Sequence, residues 1–180
     1  PRLQTVPYHP VLPPHIDAIH TLANTLPQVL VNDTHLQARV LDAPGGAASI
    51  VVANRWTYDI DAKLATRVGG RQVNLPRSGT FVLPASTGLI LPIAYPLEQS
   101  RTLVQATAQL LSSASTPTSL VLELLAPGGG EVVLELEAVP SAVTVNGRSS
   151  SFAVLSNASG TTTISVSLPV GSDTVNISIP

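Results

Sequence analysis

The residues with the most chemistry to offer stand together at Asn54-Arg55-Trp56-Thr57-Tyr58-Asp59, which bring together an indole, a phenol, a guanidinium and a carboxylate. Read as part of a β-strand, Trp56 and Tyr58 are two positions apart and project from one face. A flat aromatic pair with polar neighbours can stack on a sugar ring and hydrogen-bond its hydroxyls. It can equally anchor a domain interface, since aromatic anchoring serves both purposes. Trp56, Tyr58, Arg55 and Asp59 are therefore the candidate carbohydrate contacts, with the interface reading held beside them.

Other chemistries find less support. The histidines are His9, His15, His20 and His35. On a helix, His15 and His20 would lie about 140° apart at about 100° per residue, so they share no ligand face. With no paired-histidine motif and no cysteine, no metal site, disulfide or cofactor is expected, and the histidines read as solvated or interface residues. The chain lacks the Gly-x-Ser-x-Gly elbow, and Ser149-Ser150-Ser151 has no histidine nearby in sequence. Two carboxylates flanking a glycosidic bond would suffice for glycoside cleavage. Asp59 with Asp61, and Glu131 with Glu135 and Glu137, share strand faces in the sequence reading, but nothing beside them supplies the apolar enclosure that raises an acid's pKa. They read as solvated faces, so no catalytic residue is assigned. Pro127-Gly128-Gly129-Gly130 joins two strands with no Lys after it, which makes it a turn rather than a phosphate cradle. Three Asn-x-Ser/Thr sequons, at Asn32, Asn157 and Asn176, are glycosylation candidates if the protein passes through a glycosylating pathway.

The elements that must position these residues follow from periodicity. The first 14 residues are crowded with prolines, which forbid helix interiors and favour an extended path over another surface. Ile16, Ile19, Leu22, Ala23 and Leu26 then recur at helical spacing, bounded by Pro13, Pro14 and Pro27, so the pattern predicts one short amphipathic helix over 14–26. From Val29 onward the period is two, interrupted by Gly, Pro, Asn and Ser clusters. Strands are predicted at 36–42, 48–54, 58–67, 71–75, 79–83, 88–93, 102–111, 119–125, 131–138, 142–146, 150–155, 161–168 and 174–179. In the clearest of them, Val132, Leu134 and Leu136 point to a core while Glu131, Glu135 and Glu137 point to water. Asn146-Gly147 is the best two-residue hairpin signal, because a type I′ turn needs positive φ at both positions.

This pattern predicts an all-β, antiparallel β-sandwich, one large or two stacked small modules, with one short N-terminal helix. The organisation expected is a proline-rich lead and helix over 1–30 that pack on a neighbouring domain, a first β module over 31–93 and a second over 94–180. A break is placed at Leu91-Pro92-Ile93-Ala94-Tyr95-Pro96. The chain has 180 residues, 11% of them charged against about 25% in average soluble domains, and a mean hydropathy of +0.32. Its solubility then rests on Ser, Thr, Asn and Gln. A net charge of −2 with scattered arginines offers no face for a phosphate backbone, so nucleic acid is not an expected partner. No apolar stretch approaches the ~20 residues of a membrane-spanning helix, and no membrane partner is expected. Beginning at Pro1 without Met, the chain reads as a processed product, a fragment or part of a longer protein.

The order of features also carries a resemblance. Pro-Pro-His-Ile-Asp-Ala-Ile-His-Thr-Leu-Ala-Asn-Thr-Leu-Pro-Gln-Val-Leu, followed by Ile50-Val51-Val52-Ala53-Asn54-Arg55, resembles the passage in which retaining glycoside hydrolases leave their barrel and enter a β-sandwich. Further on, the run Leu103 to Leu111 and the run Ser119 to Leu134, with its Pro-Gly turn and Glu-led strand, look like the accessory β domain of family 35 β-galactosidases. The resemblance implies a secreted, extracellular, non-catalytic region that stabilises a neighbouring catalytic domain or chain and shapes substrate access. In that family the catalytic glutamates belong to the barrel, so none is carried over to this sequence. A stand-alone glycan-binding or adhesion module, and a shell or fibre protein built of Ser/Thr-rich strands, are the alternatives.

Overall fold

The computed structural model describes residues 29–180. The predicted helix over 14–26, the proline-rich lead and His9, His15 and His20 lie outside the described residues. What is described is almost wholly antiparallel β-structure, as the period of two dictates.

A seven-stranded sheet runs through the molecule. Its chain-order members are β2 (Leu36–Asp42), β3 (Ala48–Asn54), β8 (Gly88–Pro96), β9 (Thr102–Ala106), β12 (Gly130–Leu136), β15 (Phe152–Ala158) and β16 (Thr161–Leu168), with the spatial order β15-β16-β12-β9-β8-β3-β2. One half is faced by a five-stranded sheet made of β10 (Gln109–Thr116), β11 (Ser119–Ala126), β13 (Ala142–Val145), β14 (Arg148–Ser149) and β17 (Gly171–Ser178). The other half is closed by two small sheets. One joins β1 (Leu30–Val31), β5 (Leu64–Val68) and β6 (Arg71–Leu75), and the other joins β4 (Ile60–Ala62) and β7 (Phe81–Leu83).

Two hydrophobic cores result. One gathers Ile50, Val52, Leu64, Leu75, Leu83 and Leu91; the other gathers Leu103, Leu122, Leu134, Ile164, Val166 and Val175. Every one of these side chains is essentially solvent-free, and such burial stabilises by roughly 1.5–3 kcal/mol per residue. The stretch read as a break at 91–96 is the second half of the continuous strand β8, which pairs with β3 on one side and β9 on the other. Ala94 packs against the first core and Leu97 belongs to the second, and Ala94 takes a left-handed backbone, φ 49°, at the crossing. Two further contacts tie the halves together: Gln105 donates to the Asn74 carbonyl (2.9 Å) and the Arg77 amide to the Glu131 carboxylate (2.7 Å). At Gly128 the Val82 carbonyl comes so close that a Cβ there would meet it at 1.9 Å, so only glycine fits.

Several expectations about strands need correction. The predicted strand 58–67 is two short strands, β4 and β5, preceded by a loop over 55–59. The interruption at Lys63 has a cause: its amide donates to the Asn32 side chain (2.6 Å) and its carbonyl accepts from the Asn32 amide, so a stitch replaces the ladder. In β12 the predicted Val132, Leu134 and Leu136 are buried, but so is Val133, and two of the three glutamates are engaged. Glu131 accepts from the Arg77 amide and the Ser165 hydroxyl, while Glu137 holds Arg101. Only Glu135 behaves as an exposed strand-face carboxylate.

Among the described residues Arg101 is the largest fully buried side chain, and its guanidinium is saturated. Nε donates to Glu137, one terminal nitrogen to the Ser115 hydroxyl (2.7 Å) and Ser119 carbonyl (2.8 Å), the other to the Pro117 carbonyl (3.0 Å) and to Glu137 Oε1. The clamp binds the β10–β11 turn to the end of β12. Hydrogen bonding from Arg101 holds the Glu137 carboxyl below the ordinary carboxylate range, against a smaller opposing effect of burial. The Asn146-Gly147 turn adopts positive φ at both residues, 53° and 74°, and joins β13 to β14 in the two-residue hairpin its sequence predicts.

Candidate functional site

Asn54 ends β3 with its side chain buried, and it organises the loop that follows. Its amide nitrogen donates to the carbonyls of Tyr58 (2.8 Å), Leu83 (3.0 Å) and Pro84 (3.1 Å), and its oxygen accepts from the Trp56 amide (3.0 Å). An asparagine can satisfy this set because it presents both donor and acceptor ends. The loop 55–59 is laced to the loop after β7 by two more bonds, from the Ser86 amide to the Trp56 carbonyl (2.9 Å) and from the Ala85 amide to Asp59 Oδ1 (2.9 Å). Trp56 and Tyr58 thus stand on a pinned loop rather than on a strand.

Their rings still share one side of the molecule. The centroids lie 5.9 Å apart with the planes inclined at 37°, and both rings are nearly half exposed. A third ring completes the cluster. His35, in the turn before β2, meets the indole edge-on at 4.4 Å and 77°, and the phenol at 6.2 Å and 78°. Asp33 orients that imidazole: its Oδ1 accepts from the His35 amide and lies 2.8 Å from His35 Nδ1. The Tyr58 hydroxyl stands 3.5 Å from the same nitrogen. The Asp33 carboxyl is held below its ordinary range, chiefly by the His35 backbone N–H and further by the imidazole, with partial desolvation opposing.

The result is a three-ring platform with a carboxylate at its margin, held from below by the hydrogen bonds of the buried Asn54 side chain. Of the sequence candidates, Trp56 and Tyr58 come together in it. Arg55 is exposed in the same loop, and Asp59 spends one carboxylate oxygen on the Ala85 amide, acting as a loop pin. Asp59 and Asp61 do not share a strand, because Asp59 precedes β4. His35, read as a solvated or interface histidine, Asp33, read only within a sequon, and Asn54, named in the run but given no role, were not assigned to the site from sequence. The signal for Asp33 and His35 is local: Asn32-Asp33-Thr34-His35 is a run suited to side-chain-to-backbone turns.

The sequons differ in their surroundings. Asn32 commits both ends of its amide, to the Asp61 carbonyl (2.8 Å) and from the Lys63 amide. Asn157 is exposed on β15, and Asn176 is half-buried on β17 beside Val121 and Thr144. Among the described residues, no cluster of three or more histidines and carboxylates is arranged to hold a metal ion, and no helix is long and apolar enough to cross a membrane. Neither a known family model nor a curated protein matches the chain.

Proposed function

We propose that this chain is a non-catalytic accessory β-sandwich region of a larger secreted carbohydrate-active enzyme, a glycoside hydrolase, which it stabilises while shaping access of the glycan. The observation that carries the reading is the exposed platform of Trp56, Tyr58 and His35. Sugar rings present an apolar C–H face that stacks on aromatic rings, with hydroxyls at the rim. Here the rings are set in place before any ligand arrives, so little ordering entropy opposes binding. The Asp33 carboxylate and the Tyr58 hydroxyl, both against His35 Nδ1, stand at that rim, and Arg55 is exposed in the same loop. The resemblance to family 35 accessory domains supports the placement beside a catalytic barrel.

Trp56 is the sole tryptophan, so its fluorescence reports on the site without labelling. Titration of the intact chain with a panel of galactosides and other oligosaccharides is expected to quench or shift that emission. Trp56→Ala is expected to weaken binding about tenfold or more, measured by calorimetry, with an unchanged circular dichroism spectrum, since losing about 1.4 kcal/mol corresponds to a factor of ten. A wild-type chain that binds no member of the panel overturns the glycan contact. Peptide mapping of the natural polypeptide that finds no catalytic domain joined to or co-purifying with the chain overturns the accessory role.

A further inference from the structure

The aromatic platform carries a charge that no lysine or arginine balances. Asp33 stands at its margin with 33% of its side chain exposed. Its Oδ1 accepts from the His35 amide and lies 2.8 Å from His35 Nδ1, whereas its Oδ2 has no hydrogen-bond partner among the described residues. Among those residues the only ion pair made by an arginine or lysine is that of Arg101 with Glu137, far from this site in the fold. In the loop that bears the two larger rings, Arg55 and Asp59 cancel in number, so Asp33 gives the site one net negative charge. That charge borders rings whose faces attract cations: a cation within about 6 Å of an aromatic centroid gains from the ring's quadrupole, most of all over an indole. One imidazole touches both features, since His35 meets Asp33 at 2.8 Å and its ring centroid lies 4.4 Å from that of Trp56.

We propose that the glycan taken by this platform is one that carries free amino groups, an oligomer or polymer of amino sugars that are not acetylated. The inference rests on the sugar-binding reading of Trp56, Tyr58 and His35 and adds the charge of the ligand. The Asp33 carboxylate sorts sugars by the substituent they bring to the rim. A primary ammonium pairs with it through a charge-assisted hydrogen bond and sets its positive charge beside the aromatic faces. A hydroxyl in the same place gives a hydrogen bond without the charge. An acetylated amine keeps one N–H and loses the charge together with the other donors. A uronic acid sets like charge against like. The His35 backbone N–H holds the Asp33 carboxyl below its ordinary range, so the anion is present at neutral pH.

Trp56 emission reads the test in the full chain at neutral pH, with oligomers of glucosamine, N-acetylglucosamine and glucose that are equal in length and linkage. The glucosamine oligomer is expected to bind about tenfold tighter than either of the others. Added salt is expected to weaken that oligomer alone, by about threefold between roughly 0.01 M and 0.15 M ionic strength. Asp33→Asn is expected to narrow the tenfold difference to about twofold or less, a ratio that a partial loss of folded protein does not change. Equal affinity of the wild-type chain for the glucosamine and glucose oligomers overturns the inference and leaves the platform standing as a sugar site. A preference that Asp33→Asn leaves in place overturns it too. So does a preference that salt does not weaken, a measurement that needs no variant to fold. Binding of none of the three oligomers and none of the galactosides overturns the platform reading itself, and this inference with it.

Discussion

The two cores are built from the same aliphatic residues yet secured by different means. Around Leu122 and Leu134, strands of seven and eight residues pair in long uninterrupted ladders such as β11 with β17 and β12 with β16. One buried side chain, Arg101, closes the end of that sandwich. Around Ile50 and Leu83, the small sheets use strands of two to five residues, and side chains of Asn32, Asn54 and Asp59 take over where the ladders stop. The ladder-built half presents many Ser and Thr side chains to solvent, with Leu111, Val139, Val154 and Val170 exposed singly among them. The stitched half presents an aromatic platform. Side-chain stitching frees loops from the sheet's geometry, and loops held from beneath can bring rings from separate segments, here Trp56 and Tyr58 with His35, to one surface.

The sharpest way to break this comparison is Arg101→Ala. It leaves the Pro117 and Ser119 carbonyls without their donor and the Glu137 carboxylate without its partner. The expected loss is about 2–4 kcal/mol, chiefly from the two carbonyls left unpaired, read as a fall in the denaturation midpoint, with glycan binding intact in the protein that remains folded. A loss under about 1 kcal/mol would mean that the ladders alone hold that half.

Asn54→Ala is the counterpart in the stitched half. The expected cost is about 2 kcal/mol from unpaired loop carbonyls, and here the function falls with it: Trp56 emission shifts as the loop loosens, and sugar affinity drops. Stability lost without a change in Trp56 emission would separate the loop's support from the platform.

A smaller effect comes from acid. The Glu137 carboxyl sits below its usual value of 4.5 in the folded protein, so the unfolded chain binds its proton first as pH falls. Its stabilising contribution is therefore complete above about pH 4.5 and is lost as pH falls from there through the folded value. Because Glu137 is 44% exposed, solvent screens the pair and the contribution amounts to about 1 kcal/mol. Glu137→Gln is expected to flatten the acid limb of a stability–pH curve in this range; an unchanged limb would assign the acid sensitivity to other carboxylates.

The same contrast explains how much could be read from the sequence. Ile164, Val166 and Leu168 alternate with Thr163, Ser165 and Ser167, and the all-β class follows from such runs, whereas β12 departs from the pattern because Val133 is buried as well. The Asn146-Gly147 hairpin was legible because its backbone needs those residue types. The platform was legible only as composition. Trp56 and Tyr58 were visible, but the hands that hold them were not: Asn54 acts across 29 and 30 residues on Leu83 and Pro84, and His35 across 21 and 23 on the rings. No period or local spacing encodes contacts of that range. Arg101 escaped notice for a related reason, since a lone arginine reads as solvated until the turn over 115–119 wraps around it.

The strand order of the long sheet has a consequence for synthesis. From β2 to β3, β8, β9, β12 and β16, each strand added to the growing edge comes later in the chain than the one it joins, and β16 is then flanked by its immediate predecessor β15. The sheet can therefore assemble outward as the polypeptide leaves the ribosome. At about 5–20 residues per second, the gap of about 24 residues from β9 to β12 exposes the open edge for roughly one to five seconds. Over most of its width the sheet never waits for a distant C-terminal strand to be inserted between strands already paired, so nascent chains stalled between β9 and β12 would display a single sticky edge rather than an unfilled gap.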